Sequence, residues 1–416
     1  MTEQLKLKLN DSKATRWGAL VIVAFTMMAA YYVNDVVAPL KTMLETDLAW
    51  SSTDFGFFTG GYSFLNVFFL MLIWGGLILD RFGIRFTGKL ATILMVGGTA
   101  LEYYAMTGLA GADATLFGIN EIFGYKTGVF VAFAGYSIFG VGAEVAGITV
   151  SKIIAKWFKG KELATAMGVQ VALARIGSQA GYAVAIPLAR AFGISTPVLL
   201  GLVLLLGGMI AFFIFAVMDK KLDKQMEAAA IAAGTEDEEE KFSFKDVKNI
   251  LVNPGFWLIA LLCVLFYSCV FPFQKFASEL MIIKYGINEN VAGTFAGLPA
   301  LGALILTPVF GGFIDKRGKS ASIMLLGSAM LICVHFIYAI PDINYWLVAI
   351  VLMIILGIAF SLVPSAMWPA VAKIFPVSQL GTAYALIFFI QNIGLWGIPT
   401  LSLIHISEPT RRVVIS

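Results

Sequence analysis

Long apolar segments recur along this chain, and they constrain its fold more than any other feature. Eleven can be counted, each close to the roughly 20 residues that one helical crossing of a bilayer needs. They cover residues 17–37, 56–79, 86–106, 127–154, 163–186, 197–218, 255–282, 291–314, 320–340, 345–368 and 380–398. Only 13% of the 416 residues are charged, whereas a soluble domain carries about 25%. We therefore predict an all-α polytopic membrane protein and exclude soluble and disordered chains.

The positive charges are distributed unevenly between the two sets of loops. Most Lys and Arg residues fall in the N-terminal segment, in alternate loops and in the polar stretch 219–253. Because Lys and Arg are retained on the cytoplasmic side, the N-terminus and this central linker are predicted to be cytoplasmic. The linker also contains the acidic run 236–240, which is typical of a solvated, flexible tether because like charges repel.

Two short motifs occur twice and indicate an internal repeat. The pattern G-x-x-x-D-[RK]-x-G spans 76–83 and again 311–318, and a second matched pair opens the fifth and eleventh segments at 162–166 and 379–383. Matched motifs at equivalent positions indicate duplicated halves. We predict an N-terminal six-helix bundle over 1–218, a linker over 219–253 and a C-terminal five-helix bundle over 254–400.

The first of these motifs has a physical interpretation as a latch between two arrangements of the halves. Its small glycine permits close approach of helices, its acid lies at a helix end where it can pair with cations, and its second glycine suits a tight turn. A loop that only fixes topology is the alternative. The predicted gating residues are Gly76, Asp80, Arg81, Gly83, Arg85, Asp315 and Lys316.

These motifs resemble the signature of the major facilitator superfamily. The resemblance implies its fold, two pseudo-symmetric six-helix bundles, of which about eleven helices are present here. Residues 157–163, 174–178, 270–273, 368–369, 379–384 and 391–395 are similar to the lysosomal dipeptide transporter branch of that superfamily, and the likeness covers most of 17–397. A bacterial relative of that branch, in an inner or plasma membrane, is what the resemblance implies.

Ionisable residues inside apolar spans are costly, and each is therefore a candidate site residue. Glu144 lies in the middle of the fourth segment and Arg175 in the middle of the fifth. A guanidinium can hold a carboxylate by two parallel hydrogen bonds, and a carboxylate can receive an ammonium, so the pair suits a zwitterion. The family resemblance implies recognition of the two substrate ends at these positions. An internal salt bridge that only offsets desolvation is the alternative.

Other polar groups in the spans are weaker candidates for substrate binding: Asp35, Gln170, Gln391 and Asn392. Asp35 ends the first helix and could contact an amine, relay a proton or simply lie at the interface. Glu102 is expected near the outer membrane surface, as an ordinary acid flanked by tyrosines. Lys275 and Glu279 are four residues apart on one helix face, which favours a local ion pair near the outer end. A gate ion pair is the alternative.

Motifs for catalysis or cofactor binding are absent from the sequence. It has no HExxH, CxxC or GxxxxGK[ST] pattern, and its two histidines and three cysteines are not clustered. The chain is predicted not to be an enzyme and to need no cofactor or metal. The E-x-x-E-R pattern of proton-driven peptide transporters is also missing from the first helix, which favours facilitated movement.

The C-terminal residues 401–416 depart from the family pattern. Residues 401–411 contain Pro409 and basic residues where apolar residues are due, and they resemble translated adapter DNA. We predict a non-native tail. A natural divergent terminus is the alternative.

The sequence as a whole predicts a secondary transporter that moves a small zwitterionic solute, a dipeptide in the first instance, by alternating access. One alternative is an organic anion antiporter that relies mainly on Arg175, and another is a membrane receptor or scaffold that transports nothing. The expected partners are a small-molecule substrate and the lipid bilayer, with no nucleic acid, and the protein is predicted to be a monomer.

Overall fold

The structure is a computed structural model that describes the backbone of residues 8–111, 114–158, 161, 163–233, 244–375 and 377–407. Within these ranges, the side chains of 80, 163–165, 229–233, 244–247, 315–316, 369, 372–373, 377–382 and 399–407 are not described. The predicted acidic run 236–240 and the end of the predicted tail, 408–416, lie outside the described residues.

Helices make up nearly all of the described chain. In order they are α1 Lys13–Val36, α2 Lys41–Asp47, α3 Ser52–Phe68, α4 Met71–Thr107, α5 Thr127–Trp157, α6 Leu163–Phe192, α7 Thr196–Ala233, α8 Phe244–Val252, α9 Pro254–Ile283, α10 Glu289–Ala296, α11 Leu298–Arg317, α12 Ser320–Ala339, α13 Trp346–Ile374 and α14 Val377–Ser407. A 3-10 turn, Ala38–Leu40, joins α1 to α2, and a short hairpin of β1 Glu121–Ile122 and β2 Tyr125–Lys126 precedes α5.

The prediction of a helical membrane protein is confirmed. In the described part of the chain, seven helices are long and apolar enough to cross a membrane, or eight if α3 and the start of α4 form one bent span. Large apolar side chains also face outward, for example Ile210 on α7, Leu258 on α9 and Leu325 on α12, which are 60–72% exposed. A bilayer requires helices, which satisfy their own backbone hydrogen bonds, and apolar side chains on the surface that faces lipid.

The second predicted span and the loop after it differ in detail from the prediction. The second span is not continuous, because Leu70 adopts the left-handed conformation (φ 54°) and the chain bends by 58° between α3 and α4. Conversely, the loop predicted between the second and third spans is reduced to a single interruption at Gly83 (φ 77°, ψ 173°), and α4 continues on both sides of it. Glycine tolerates this conformation because it has no Cβ.

The linker and the C-terminal region are also more helical than predicted. The α7 helix continues past 219 to Ala233, and α8 occupies the end of the predicted tether. The α14 helix extends to Ser407, beyond the predicted end of the last span at 398 and into the predicted tail.

The two largest buried apolar clusters of the described residues lie one on each side of the linker. One contains residues between Ala19 and Leu222, and the other lies mainly between Ile250 and Ile387 but also includes Ala38 and Tyr182. We call α1–α7 the first half and α8–α14 the second half. The side on which α1 begins and the linker lies is called the linker side, and the opposite side, where α1 ends, is called the far side.

Candidate functional site

Glu144 lies in the middle of α5, facing α3. Tyr62 of α3 donates a hydrogen bond from its hydroxyl to Glu144 Oε1 at 3.0 Å. This contact depends on Gly140, one turn earlier on α5, because a Cβ there would lie 2.0 Å from the Tyr62 carbonyl oxygen. The glycine therefore allows α3 and α5 to approach closely enough for the hydroxyl to reach the carboxylate.

The second half also contributes a side chain near the Glu144 carboxylate, Asn392 of α14. Its side chain is fully buried and interacts with Glu144 across the interface between the halves. Its Nδ2 donates to the Phe388 carbonyl oxygen at 2.9 Å, and no described residue forms a hydrogen bond with its Oδ1. One acceptor therefore remains available beside Glu144.

Arg175 lies in the middle of α6 among aromatic rings. Its guanidinium carbon lies 4.8 Å from the ring centre of Phe360, 5.0 Å from Tyr31 and 6.0 Å from Phe271. Such cation–π contacts stabilise the charge without occupying its N–H donors. Within the described part of the chain, Arg175 Nε has no hydrogen-bond partner. Because Phe271 and Phe360 belong to the second half, the guanidinium lies at the interface between the halves.

Glu144 and Arg175 do not neutralise each other in this conformation. Among the described residues, no ion pair involves either of them. Both act electrostatically on the Tyr31 hydroxyl, which places them in one neighbourhood. The alternative of an internal salt bridge is thus not realised here, and a carboxylate and a guanidinium remain without ionic partners.

No described contact joins Gln170 or Gln391 to Glu144 or Arg175. Gln391 is buried, and its Oε1 accepts a hydrogen bond from the Cys263 thiol at 3.4 Å, which joins α14 to α9. Gln170 is partly buried and makes no hydrogen bond within the described part of the chain. Their roles in substrate binding stay predictions.

Asp35 belongs to a charged network on the far side. Lys275 Nζ lies 3.4 Å from Asp35 Oδ1 and 3.1 Å from the Tyr136 hydroxyl, and it also contacts the Asn34 carbonyl oxygen. Asn34 Nδ2 donates to the same Asp35 oxygen at 2.8 Å. Asp35 is therefore buried between the two halves rather than exposed at the membrane surface.

The predicted local pair between Lys275 and Glu279 was wrong. Glu279 instead pairs with Lys41 at 2.5 Å, as Lys275 pairs with Asp35. The spacing of four residues does place both side chains on one face of α9, but that face meets the end of α1. Lys275 and Glu279 therefore each pair with a residue of the first half.

A third ion pair between the halves joins Arg190, at the end of α6, to Glu289, at the start of α10. All three pairs lie on the far side. The ion pairs described on the linker side stay within the first half: Arg85–Asp223 at 2.8 Å, Lys156–Asp219 at 2.8 Å and Lys161–Asp11 at 2.8 Å. On the far side, therefore, ion pairs join the two halves. We call these three cross-half pairs the far-side gate.

The predicted latch residues are only partly described. Gly83 adopts the left-handed conformation expected of the turn. Arg85 pairs with Asp223, while Arg81 lies against the ring of Phe82 at 5.6 Å. The side chains of Asp80, Asp315 and Lys316 are outside the described residues.

The close helix approach expected at Gly76 was assigned to the wrong glycine. A Cβ at Gly76 would meet nothing within 4 Å, whereas one at Gly75 would lie 2.5 Å from Val145 Cγ2. Successive residues point about 100° apart around a helix of 3.6 residues per turn, and it is Gly75 that faces α5.

Sequence reasoning also missed three residues of these networks. Tyr62 and Tyr136 are ordinary aromatic residues in apolar segments, and no local signal distinguishes them. Asp219 was assigned to a solvated linker but is fully buried, where it accepts hydrogen bonds from Lys156 Nζ at 2.8 Å and Trp157 Nε1 at 3.0 Å. The available signal was that Asp219 directly follows the apolar segment 197–218.

Comparison with known proteins shows similarity to transporters. The Major Facilitator Superfamily family model matches residues 20–397. The human protein named Lysosomal dipeptide transporter MFSD1 is 29% identical over 396 residues, which is 92% of this chain and 78% of the human protein. The Danio rerio protein of that name is 28% identical over 387 residues, covering 90% and 77% of the two chains.

A solved structure shares the fold. The crystal structure of a D-xylose-proton symporter superposes with a TM-score of 0.63 at 16% sequence identity, and the match covers 92% of this chain and 89% of the symporter.

Proposed function

The chain belongs to the major facilitator superfamily and is a multi-pass membrane transporter rather than an enzyme, and we propose that it carries dipeptides. The observation that supports this substrate is the unneutralised pair of Glu144 and Arg175 at the centre of the molecule. A dipeptide presents an ammonium and a carboxylate at a nearly fixed separation, so it supplies one partner to each residue.

The two ends of such a substrate have distinct places in the proposal. The carboxylate binds the free guanidinium donors of Arg175, where charge-assisted hydrogen bonds contribute about 1.5–3 kcal/mol each. The ammonium binds Glu144 and the free Oδ1 of Asn392. The aromatic rings around Arg175 exclude water and strengthen these interactions.

The relatives named as dipeptide transporters support the same substrate class, since they align over about nine-tenths of this chain. The D-xylose-proton symporter supports only the fold. We propose that the first half, 1–218, and the second, 254–400, rock about the central pair, with the linker 219–253 on the cytoplasmic side of a plasma membrane. Asp80 and Asp315 belong to the proposed latch on that side.

The test is uptake by the purified chain in liposomes. Labelled dipeptides, free amino acids and dicarboxylates are assayed in parallel, with each unlabelled compound as a competitor. We expect saturable dipeptide uptake that dipeptides compete away. Preferred uptake of dicarboxylates that survives Glu144→Gln would favour an organic anion antiporter, and no flux of any solute would favour a receptor or scaffold.

A further inference from the structure

Glu102, on α4 of the first half, is a buried acid that the proposed substrate site does not use. Its side chain is 0% exposed, and neither carboxyl oxygen has a hydrogen-bond partner among the residues that the structure describes. Glu102 is therefore enclosed by protein rather than exposed as an ordinary interfacial acid. Burial without hydrogen bonds costs an ionised carboxylate far more than it costs the neutral acid.

Close packing of α4 against α5 encloses this carboxyl. A Cβ at Gly98 would lie 2.5 Å from the Gly135 carbonyl oxygen, and a Cβ at Gly135 would lie 2.9 Å from the Glu102 backbone nitrogen. The two glycines bring the helix backbones together, so no space remains for a hydration shell around the acid.

The far-side gate lies next to Glu102. On α5, Tyr136 interacts with Glu102 and accepts a hydrogen bond from Lys275 of α9. Lys275 is the cation that acts on Glu102, but its ammonium is paired with Asp35 of α1. The cluster therefore contains two carboxyl groups and one ammonium, and the ammonium is bound to the other acid.

We propose that Glu102 is a proton-binding site that holds one proton while the far-side gate is closed. One ammonium compensates one carboxylate, so in the closed gate Asp35 is ionised and Glu102 is the neutral acid. When the gate opens, α9 withdraws Lys275, water enters, and a solvated glutamate is ionised at neutral pH. Closing the gate thus takes up one proton from the far side and forms the O–H bond of the Glu102 carboxyl.

Linkage fixes the sign of the effect. Because the closed state binds one proton more than the open state, acid favours the closed gate and alkali favours the open one. This inference concerns the gate and is independent of which solute is carried, so its tests use no substrate.

The first test is infrared spectroscopy of the reconstituted chain. A protonated carboxyl has a carbonyl stretching band that shifts on exchange into deuterated water. We expect Glu102→Gln to remove one such band at neutral pH, whereas Glu121→Gln, at an exposed acid of β1, leaves the band in place. An identical band in wild type and Glu102→Gln would overturn the proposal.

The second test measures the gate itself. Spin labels at Phe192→Cys and Ile283→Cys, both exposed and on opposite halves, report the far-side distance once Cys269 and Cys333 are replaced by serine. We expect the distance to increase with pH in the parent and to stay short at every pH in Glu102→Gln. If the amide side chain of Glu102→Gln disturbs folding, the same measurement is made on Glu102→Leu, whose side chain is neutral and similar in size. The same pH dependence in the parent and both variants would overturn the link to the gate.

Discussion

Lys275 on α9 and Asp35 on α1 form an ion pair between the two halves of this transporter, with Nζ 3.4 Å from Oδ1. Both side chains are nearly buried, at 12% and 8% exposure. Among the described residues neither charge has another ionic partner, so this pair requires the two halves to be in contact on the far side. This ion pair couples the position of Lys275 to the separation of the two halves on the far side.

Loss of this lysine should open the far side. Leaving a buried charge without its partner costs about 3–5 kcal/mol, so we expect Lys275→Ala to shift the equilibrium toward the open state by about tenfold or more. Distances between spin labels at positions 192 and 283 measure the shift. Lys284→Ala is the matched control, since the described contacts of that ammonium, with the Tyr338 and Ile340 carbonyl oxygens and the Tyr285 ring, all stay within its own half. An equal response of both variants would contradict a specific role of Lys275.

Arg175 should not be replaceable by lysine. A guanidinium binds a carboxylate through two parallel N–H groups and stacks on aromatic rings, and an ammonium does neither as well. We expect Arg175→Lys to weaken dipeptide competition in the liposome assay by about tenfold or more, because roughly one charge-assisted hydrogen bond is lost. Lys221→Arg, a charge-conserving exchange at an exposed position of α7, should leave competition unaltered. Unchanged dipeptide affinity in Arg175→Lys would show that Arg175 does not bind the substrate carboxylate.

Glu144 should recognise the free amine of the substrate. In the wild type we expect dipeptides with a free N-terminus to compete about tenfold better than their N-acetylated forms, because an ammonium–carboxylate contact contributes about 1.5–3 kcal/mol. In Glu144→Gln this preference should disappear while binding through the carboxylate remains. A preference that persists in the variant would show that the amine binds elsewhere.

Gly140 should be required for the geometry of Glu144. A methyl group there would lie 2.0 Å from the Tyr62 carbonyl oxygen, so Gly140→Ala must separate α3 from α5. Overpacking of this kind costs about 1–3 kcal/mol, and we expect a lower unfolding temperature together with weaker dipeptide binding. Gly147→Ala lies on the same helix, and its Cβ would meet only Met27 Cε at 3.9 Å. That variant should match the wild type in both measurements.

Asp11 should stabilise the start of α1 in a pH-dependent way. A side-chain hydrogen bond from Lys161, followed by the Lys8 backbone N–H, lowers the pKa of Asp11 below its ordinary 3.8. A carboxylate with a lowered pKa stabilises the folded state above its ordinary pKa, and this contribution is lost as pH falls through the folded-state pKa.

The effect of Asp11 should be small because both partners are partly exposed, at 38% and 26%. We expect Asp11→Asn to reduce the free energy of unfolding by about 0.2–1 kcal/mol at neutral pH. The difference from wild type should vanish well below pH 3.8. Chemical unfolding of both proteins across this range checks it, and a difference that does not depend on pH would contradict the ion-pair explanation.

The sequence by itself determined the membrane class, the helical content and the family, because these depend on local properties. Each apolar segment must satisfy its own backbone hydrogen bonds in lipid, so length and hydropathy suffice to place it. The sequence also identified Glu144 and Arg175, since an ionisable residue in an apolar span is conspicuous wherever its helix lies.

Only the tertiary structure decided which of these groups meet. Glu279 and Asp35 were equally available to Lys275 from the sequence, and the approach of α9 to α1 selected Asp35. Likewise Gly75 rather than Gly76 contacts α5, and the packing of α4 against α5 buries Glu102 completely. The physical reason is that pairing and burial depend on the relative rotation and distance of helices that lie far apart in the chain, which the composition of a single segment does not encode.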